Sequence, residues 1–143
     1  MIKELESEIE SYTRYENNQI VYLNNDKDYR AKDELSYSDF LKQYKKFKTI
    51  KVEGLEDKDF HKKIYKKRVN SVHLFVNNEE GKSFAPHKDD TNVYLHVIRG
   101  GKKVYINGKL NVLGPNNGIH IPKGALHEVL NIKNTWALSI GYD

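Results

Sequence analysis

The residues of this chain best placed to do chemistry are two histidines and one aspartate. His87 and Asp89 lie in the segment Phe84-Ala85-Pro86-His87-Lys88-Asp89-Asp90, and His127 closes the segment Ile121-Pro122-Lys123-Gly124-Ala125-Leu126-His127. Side chains along a strand alternate with period 2, so a His-x-Asp pair projects both groups from one face. A third donor from a distant strand then completes a set of two neutral imidazoles and one carboxylate. Such a set holds one face of a metal ion and leaves the other open, the arrangement of non-haem Fe(II) oxygenases. His87, Asp89 and His127 are therefore read as metal ligands and as the catalytic centre of a metalloenzyme. Asp90 would replace Asp89 only with a changed strand register. The chain has no cysteine, so its metal must be held by His, Asp, Glu or backbone oxygen, and disulfides are excluded.

The elements that position these residues are legible from Ser71 onward. Val72, Leu74 and Val76 alternate with Ser71, His73 and Phe75, a strand pattern. Further short extended segments are expected near Ser83–Ala85, Val93–Arg99, Lys102–Ile106, Lys109–Leu113, Gly118–Ile121, Glu128–Ile132 and Thr135–Tyr142. Asn107-Gly108 is a type I′ hairpin signal, because both central residues of that turn need positive φ. Gly100-Gly101 and Gly114-Pro115-Asn116-Asn117-Gly118 are further turns. Many short strands with regular turn signals imply a mainly β jelly roll or a small barrel. The first seventy residues read as a helical and mixed cap on the same domain, with 71–143 as the β core. Within that cap a helix is expected over residues 2–12, a strand over Gln19–Leu23, and a helix opening at Ser36 with Tyr37, Phe40, Leu41, Tyr44 and Phe47 on one stripe. Leu55–Tyr65 reads as a third helix.

With 143 residues, 38% hydrophobic and 31% charged, the chain suits one patterned domain and not a disordered one. No apolar run approaches the roughly 20 residues of a membrane span, and the acidic start is unlike a signal peptide, so a cytoplasmic location is expected. The net charge of +4 comes largely from the runs 42–51 and 62–68. A solvated helix face is the plain reading of these runs, and a patch for an anionic partner is the sharper one. No nucleic-acid motif accompanies them. The expected partners are a small-molecule or peptide substrate, with room for an anionic one, and the chain is read as a monomer or homodimer without membrane contact.

Gly81, five residues and then His87-x-Asp89 resembles the first cupin motif with its second His replaced by Asp, and Pro122-x-Gly124-x-x-His127-x-x-x-Asn131 resembles the second. More closely, His87-Lys-Asp89-Asp90, Val93-Tyr94 and Gly100-Gly101-Lys102-Lys103 resemble the JmjC-type cupins, as does Leu113-Gly114-Pro115 followed by Ile119-His120-Ile121-Pro122 and His127. The resemblance spans about residues 71–143. It implies a double-stranded β-helix with N-terminal helices, Fe(II) held by His87, Asp89 and His127, and 2-oxoglutarate as cosubstrate. It also implies hydroxylation of a peptide or protein side chain, or of a small amino-acid-like substrate.

In that family a lysine fifteen positions after the first ligand often holds the far carboxylate of 2-oxoglutarate, which here is Lys102. A dicarboxylate chelating a metal at one end needs a cation at the other, and charge-assisted bonds are strong where the dielectric is low. Lys103 is the neighbouring alternative, but on a strand it points the other way. On the last strand Trp136, Leu138 and Ile140 form a bulky face, and Ala137, Ser139 and Gly141 a small one. If the small face lines the barrel it makes room for the cosubstrate, with Ser139 as a hydroxyl donor to it; otherwise it simply packs on the other sheet.

The chain departs from the usual cupin motif in having Val93 and Tyr94 where an acidic ligand is expected. Two other classes stay open: a metal-dependent cupin that acts without 2-oxoglutarate, as a small-molecule dioxygenase or isomerase, and a binding module whose cavity holds a ligand without turnover. Of the other histidines, His61 and His73 carry no partner pattern and His61 is expected at the surface. His96 reads as a hydrogen-bonded core residue, and His120 is a candidate for the substrate mouth.

Overall fold

The computed structural model describes strand segments between residues 14 and 36, and then residues 49–77, 80–82, 86–132 and 134–143. The helices expected over 2–12 and after Ser36, and the extended segment Ser83–Ala85, lie outside the described residues. In chain order the strands are β1 (Arg14–Tyr15), β2 (Ile20–Asn24), β3 (Lys27–Arg30), β4 (Leu35–Ser36), β5 (Thr49–Val52), β6 (Ser71–Asn77), β7 (Gly81–Lys82), β8 (Asn92–Arg99), β9 (Lys102–Ile106), β10 (Lys109–Leu113), β11 (Gly118–Ile121), β12 (His127–Asn131) and β13 (Thr135–Tyr142).

Two antiparallel sheets build the body. One has the order β11-β8-β13-β6-β5-β2-β3, the other β10-β9-β12-β7, and β1 pairs separately with β4. Segments from before residue 70 (β2, β3 and β5) thus extend the same sheet as the later strands. The architecture is a mainly β jelly roll.

Leu55–Tyr65 is not an α-helix. It forms two 3-10 turns, Glu56–Lys58 and Phe60–Lys63. Asp59 between them has φ 67°, and a left-handed residue stops an α-helix from running through. His61 is buried there and not at the surface.

The alternation along the strands decides where the core sits. On the outer face of the larger sheet Val72, Leu74 and Val76 of β6 and Trp136, Leu138 and Ile140 of β13 pack with Ile50, Val52, Leu55 and Ile98. The inner face contributes Val93, Leu95, Val97 and Ala137, which meet Val104, Leu113, Ile121 and Ala125. Each fully buried aliphatic side chain contributes roughly 1.5–3 kcal/mol, so this sheet is anchored from both sides.

Two turns set the register of the smaller sheet. Asn107 (φ 49°) and Gly108 (φ 84°) join β9 to β10 with Ile106 paired to Lys109, as a two-residue hairpin requires. Gly100 (φ 81°) turns β8 into β9 against Thr135, and a Cβ there would lie 2.5 Å from the Thr135 hydroxyl oxygen. That hydroxyl accepts from the Gly101 N–H at 3.1 Å and donates to the Gly101 carbonyl at 2.9 Å, which fixes the start of β9 and hence Lys102.

Candidate metal centre and its cavity

Backbone hydrogen bonds bring the two distant sequence segments together. His87 and His127 form an isolated antiparallel bridge, each N–H donating to the other's carbonyl at 2.9 Å. The Pro122–Ala125 turn closes on itself through Ala125 N–H to Pro122 O at 3.0 Å, and Gly124 N–H donates to the Asp89 carbonyl at 3.1 Å. Gly124 adopts φ 79°, which suits a residue without Cβ. The fixed Pro and Gly of this segment therefore shape a turn that grips the backbone of the aspartate.

One ligand atom each from His87, Asp89 and His127 lies within 4.8 Å of the others. The Asp89 oxygens stand 3.1 Å from His127 Nε2 and 3.5 Å from His87 Nε2. Ligand atoms about 2.1 Å from a metal and 90° apart are about 3 Å from one another, so both carboxylate–imidazole separations are close to those around a single ion. His127 is 4% exposed, whereas His87 and Asp89 are 42% and 34% exposed. His127 Nδ1 lies 3.0 Å from the Ala125 carbonyl oxygen. A carbonyl can only accept, so this contact suits a proton on Nδ1, the tautomer that would turn the Nε2 lone pair, beside Asp89 Oδ2, to a metal. The donor set and its orientation fit a divalent cation.

The cavity behind these ligands measures about 300 Å³ and lies between the two sheets. All five residues singled out in the sequence (His87, Asp89, Lys102, His127 and Ser139) line it. The small face of β13, with Ser139 and Gly141, faces this space while its bulky face packs outward. A Cβ on Gly141 would come within 2.4 Å of Ser71 Oγ. Val93, Leu95, Ile121 and Val129 supply apolar walls.

Lys102 is 4% exposed. Its Nζ donates to Asn131 Oδ1 at 2.7 Å and Asn77 Oδ1 at 3.2 Å, and lies 5.9 Å from the Phe75 ring. Burial pushes its ammonium down to about 7, since desolvation disfavours the charged form. Lys103 is exposed on the opposite face, and Asp90 is exposed outside the ligand group.

Sequence reasoning did not select Lys51, His73, Asn77 or Asn131 as site residues. Asn131 occupies the last fixed position of the second motif, and His73 shares the period-2 face of Ser71 and Phe75, so both carried a signal. Lys51 sits across from Phe75 on β5, a pairing that only the sheet register reveals. His120 does not line the cavity. It points to the other face, where Tyr142 Oη is 2.7 Å from its Nδ1 and the Tyr94 ring is 4.7 Å away. His96 is a buried core histidine between Tyr94 Oη and Asn116 Oδ1, both at 3.1 Å, and its burial lowers its pKa.

Compared by sequence, the chain matches no family profile and no curated protein. Solved structures do resemble it. SPY1581, a conserved protein of unknown function from Streptococcus pyogenes, aligns with TM-score 0.55 at 12% identity, over 85% of this chain and 94% of that one. KdgF from a Halomonas species aligns with TM-score 0.51 at 11% identity, over 66% and 77%. An RmlC-like cupin from Shewanella frigidimarina aligns with TM-score 0.46 at 11% identity, over 66% and 76%. At these identities the likeness to SPY1581 and KdgF is one of overall fold alone. Among the described residues, no helix is long and apolar enough to cross a membrane.

Proposed function

We propose that this chain is a cupin that acts as an Fe(II)- and 2-oxoglutarate-dependent oxygenase, hydroxylating a small amino-acid-like molecule or a peptide side chain. One observation carries the reading: a three-ligand metal face and a buried lysine occupy the same cavity. His127 and Asn131 lie four residues apart on β12, about 13 Å at the usual strand rise, and Lys102 is hydrogen-bonded to Asn131. A short ligand with an anionic group at each end suits that span.

When bound, the iron supplies activation of dioxygen coupled to oxidative decarboxylation of 2-oxoglutarate to succinate and CO₂. The chain supplies the rest. Ala125 O holds His127 in the tautomer that offers Nε2. Asp89 contributes the one negative charge of the ligand set. Lys102 takes the far carboxylate, with Ser139 as a neighbouring hydroxyl donor. The apolar walls exclude water, which strengthens each charged contact.

A metal-dependent cupin working without 2-oxoglutarate is the second reading, favoured by the Lys102 amine: near 7 it can exchange protons with a substrate. An anaerobic Fe(II) titration with and without 2-oxoglutarate, followed by visible absorption, separates the two. The oxygenase gives a charge-transfer band that needs both additions and disappears in His87→Ala and Lys102→Ala. Metal binding with no such band, and no succinate formed in air, would remove 2-oxoglutarate from the reading.

A further inference from the structure

Buried lysines are rare unless a carboxylate pairs with them. Among the described residues Lys102 departs from this: its hydrogen bonds go to two amide oxygens, those of Asn131 and Asn77. The nearby Lys51 does not share the problem, because Glu53 lies 3.0 Å from its Nζ. Both asparagines are themselves buried. Asn77 is turned by Thr49, whose Oγ1 lies 2.6 Å from Asn77 Nδ2, so its oxygen faces the lysine. An ammonium has three donors and no acceptor. The two amides use two donors, and the third remains for the cavity that Lys102 lines. Each asparagine is one atom away in shape from an aspartate, which would neutralise the lysine internally.

We propose that Asn77 and Asn131 are specificity-determining positioning residues: they fix the Lys102 ammonium at the cavity floor and, being neutral, reserve its charge for the terminal carboxylate of a ligand. The cavity then selects molecules ending in a carboxylate over those of the same shape ending in an amide. The inference rests on the proposed function in taking 2-oxoglutarate as that ligand. Burial of an uncompensated ammonium favours the neutral amine, and an incoming carboxylate reverses this, so binding draws in a proton.

The test uses the full chain labelled with ¹³C at lysine Cε, with Zn(II) as a diamagnetic metal, and the Lys102 signal identified by its loss in Lys102→Met. Adding 2-oxoglutarate raises the Lys102 titration midpoint by about one pH unit or more, and 2-oxoglutaramate, which ends in an amide, leaves it in place. Asn131→Asp raises the midpoint with no ligand present and weakens 2-oxoglutarate binding by about 100-fold, the cost of a like charge at the site, while Zn(II) binding is unchanged. Asn77→Asp gives the same pattern and serves if the first variant does not fold. An unmoved Lys102 signal with 2-oxoglutarate, or undiminished binding in both aspartate variants, overturns the proposal. A moved signal without the Fe(II) charge-transfer band upholds this receptor and removes the oxygenase. An Fe(II) charge-transfer band that forms with undiminished 2-oxoglutarate affinity in both aspartate variants does the reverse.

Discussion

Gly124 donates its backbone N–H to the carbonyl of Asp89 at 3.1 Å, so the turn that delivers His127 also holds the segment that delivers the carboxylate. The three candidate metal ligands are thus fixed by main chain as well as by side-chain packing. A metal bound there meets ligands already in place, which reduces the ordering it must impose.

Removing one ligand should separate metal binding from folding. His87 is 42% exposed, so His87→Ala is expected to cost little stability. Its divalent-metal affinity should fall by about 100-fold or more, beyond the effect of losing an outer partner. Calorimetric Zn(II) or Mn(II) titration measures this, and the metal-dependent rise in Tm expected of the unsubstituted protein should vanish. Retained affinity would take His87 out of the ligand set.

The Lys102 amine makes stability depend on pH with a definite sign. Its folded value, about 7, lies below the ordinary 10.5, so between these values the unfolded chain binds a proton that the folded chain does not. Stability of the ligand-free protein should therefore rise with pH across that window and be lowest below pH 7. Lys102→Met should remove this slope. Thermal unfolding of both proteins from pH 6 to pH 10 gives the answer, and parallel curves would contradict the burial of the amine.

Anion binding should run the opposite way. Only the ammonium attracts a carboxylate, so affinity for 2-oxoglutarate should be greatest below pH 7 and fall about tenfold per pH unit above it. Titration at fixed Zn(II) across pH tests this, and a flat profile would assign the carboxylate to some other group.

Filling the cavity from β13 should block the ligand and spare the metal. Ser139→Leu places a branched side chain in the space that Ser139 lines, away from the outer core of Leu138 and Ile140. Zn(II) affinity should persist while 2-oxoglutarate binding is lost. Leu138→Ala, on the other face, should instead cost about 2–5 kcal/mol of stability with site affinities kept in the folded fraction. Denaturant unfolding and ligand titration on the two variants separate these effects.

Much of the β body could be read before any coordinates. The period-2 runs and the Asn107-Gly108 turn place β6 and β8 to β13 to within a residue or so, because short strands with one buried face must alternate. The His-x-Asp spacing and the second motif were enough to nominate His87, Asp89 and His127, which the fold brings to one point. Lys102 came from a family resemblance; its two asparagine partners did not, since they sit on β6 and β12 and meet it only through sheet geometry. Leu55–Tyr65 misled because apolar spacing alone cannot foresee a left-handed Asp59. His61 was misplaced because neighbouring lysines suggest a surface even where one turn faces inward.

The two faces of β6 and β13 have consequences for how this protein could change. Odd-numbered positions such as His73, Ser139 and Gly141 line the cavity, and even-numbered ones such as Leu74, Leu138 and Ile140 pack in the outer core. A library confined to His73 and Ser139 would explore new ligands at little risk to folding, because odd positions such as Asn77, Thr135, Ala137 and Gly141 are packed and stay fixed. One restricted to even positions would tune heat tolerance while preserving selectivity.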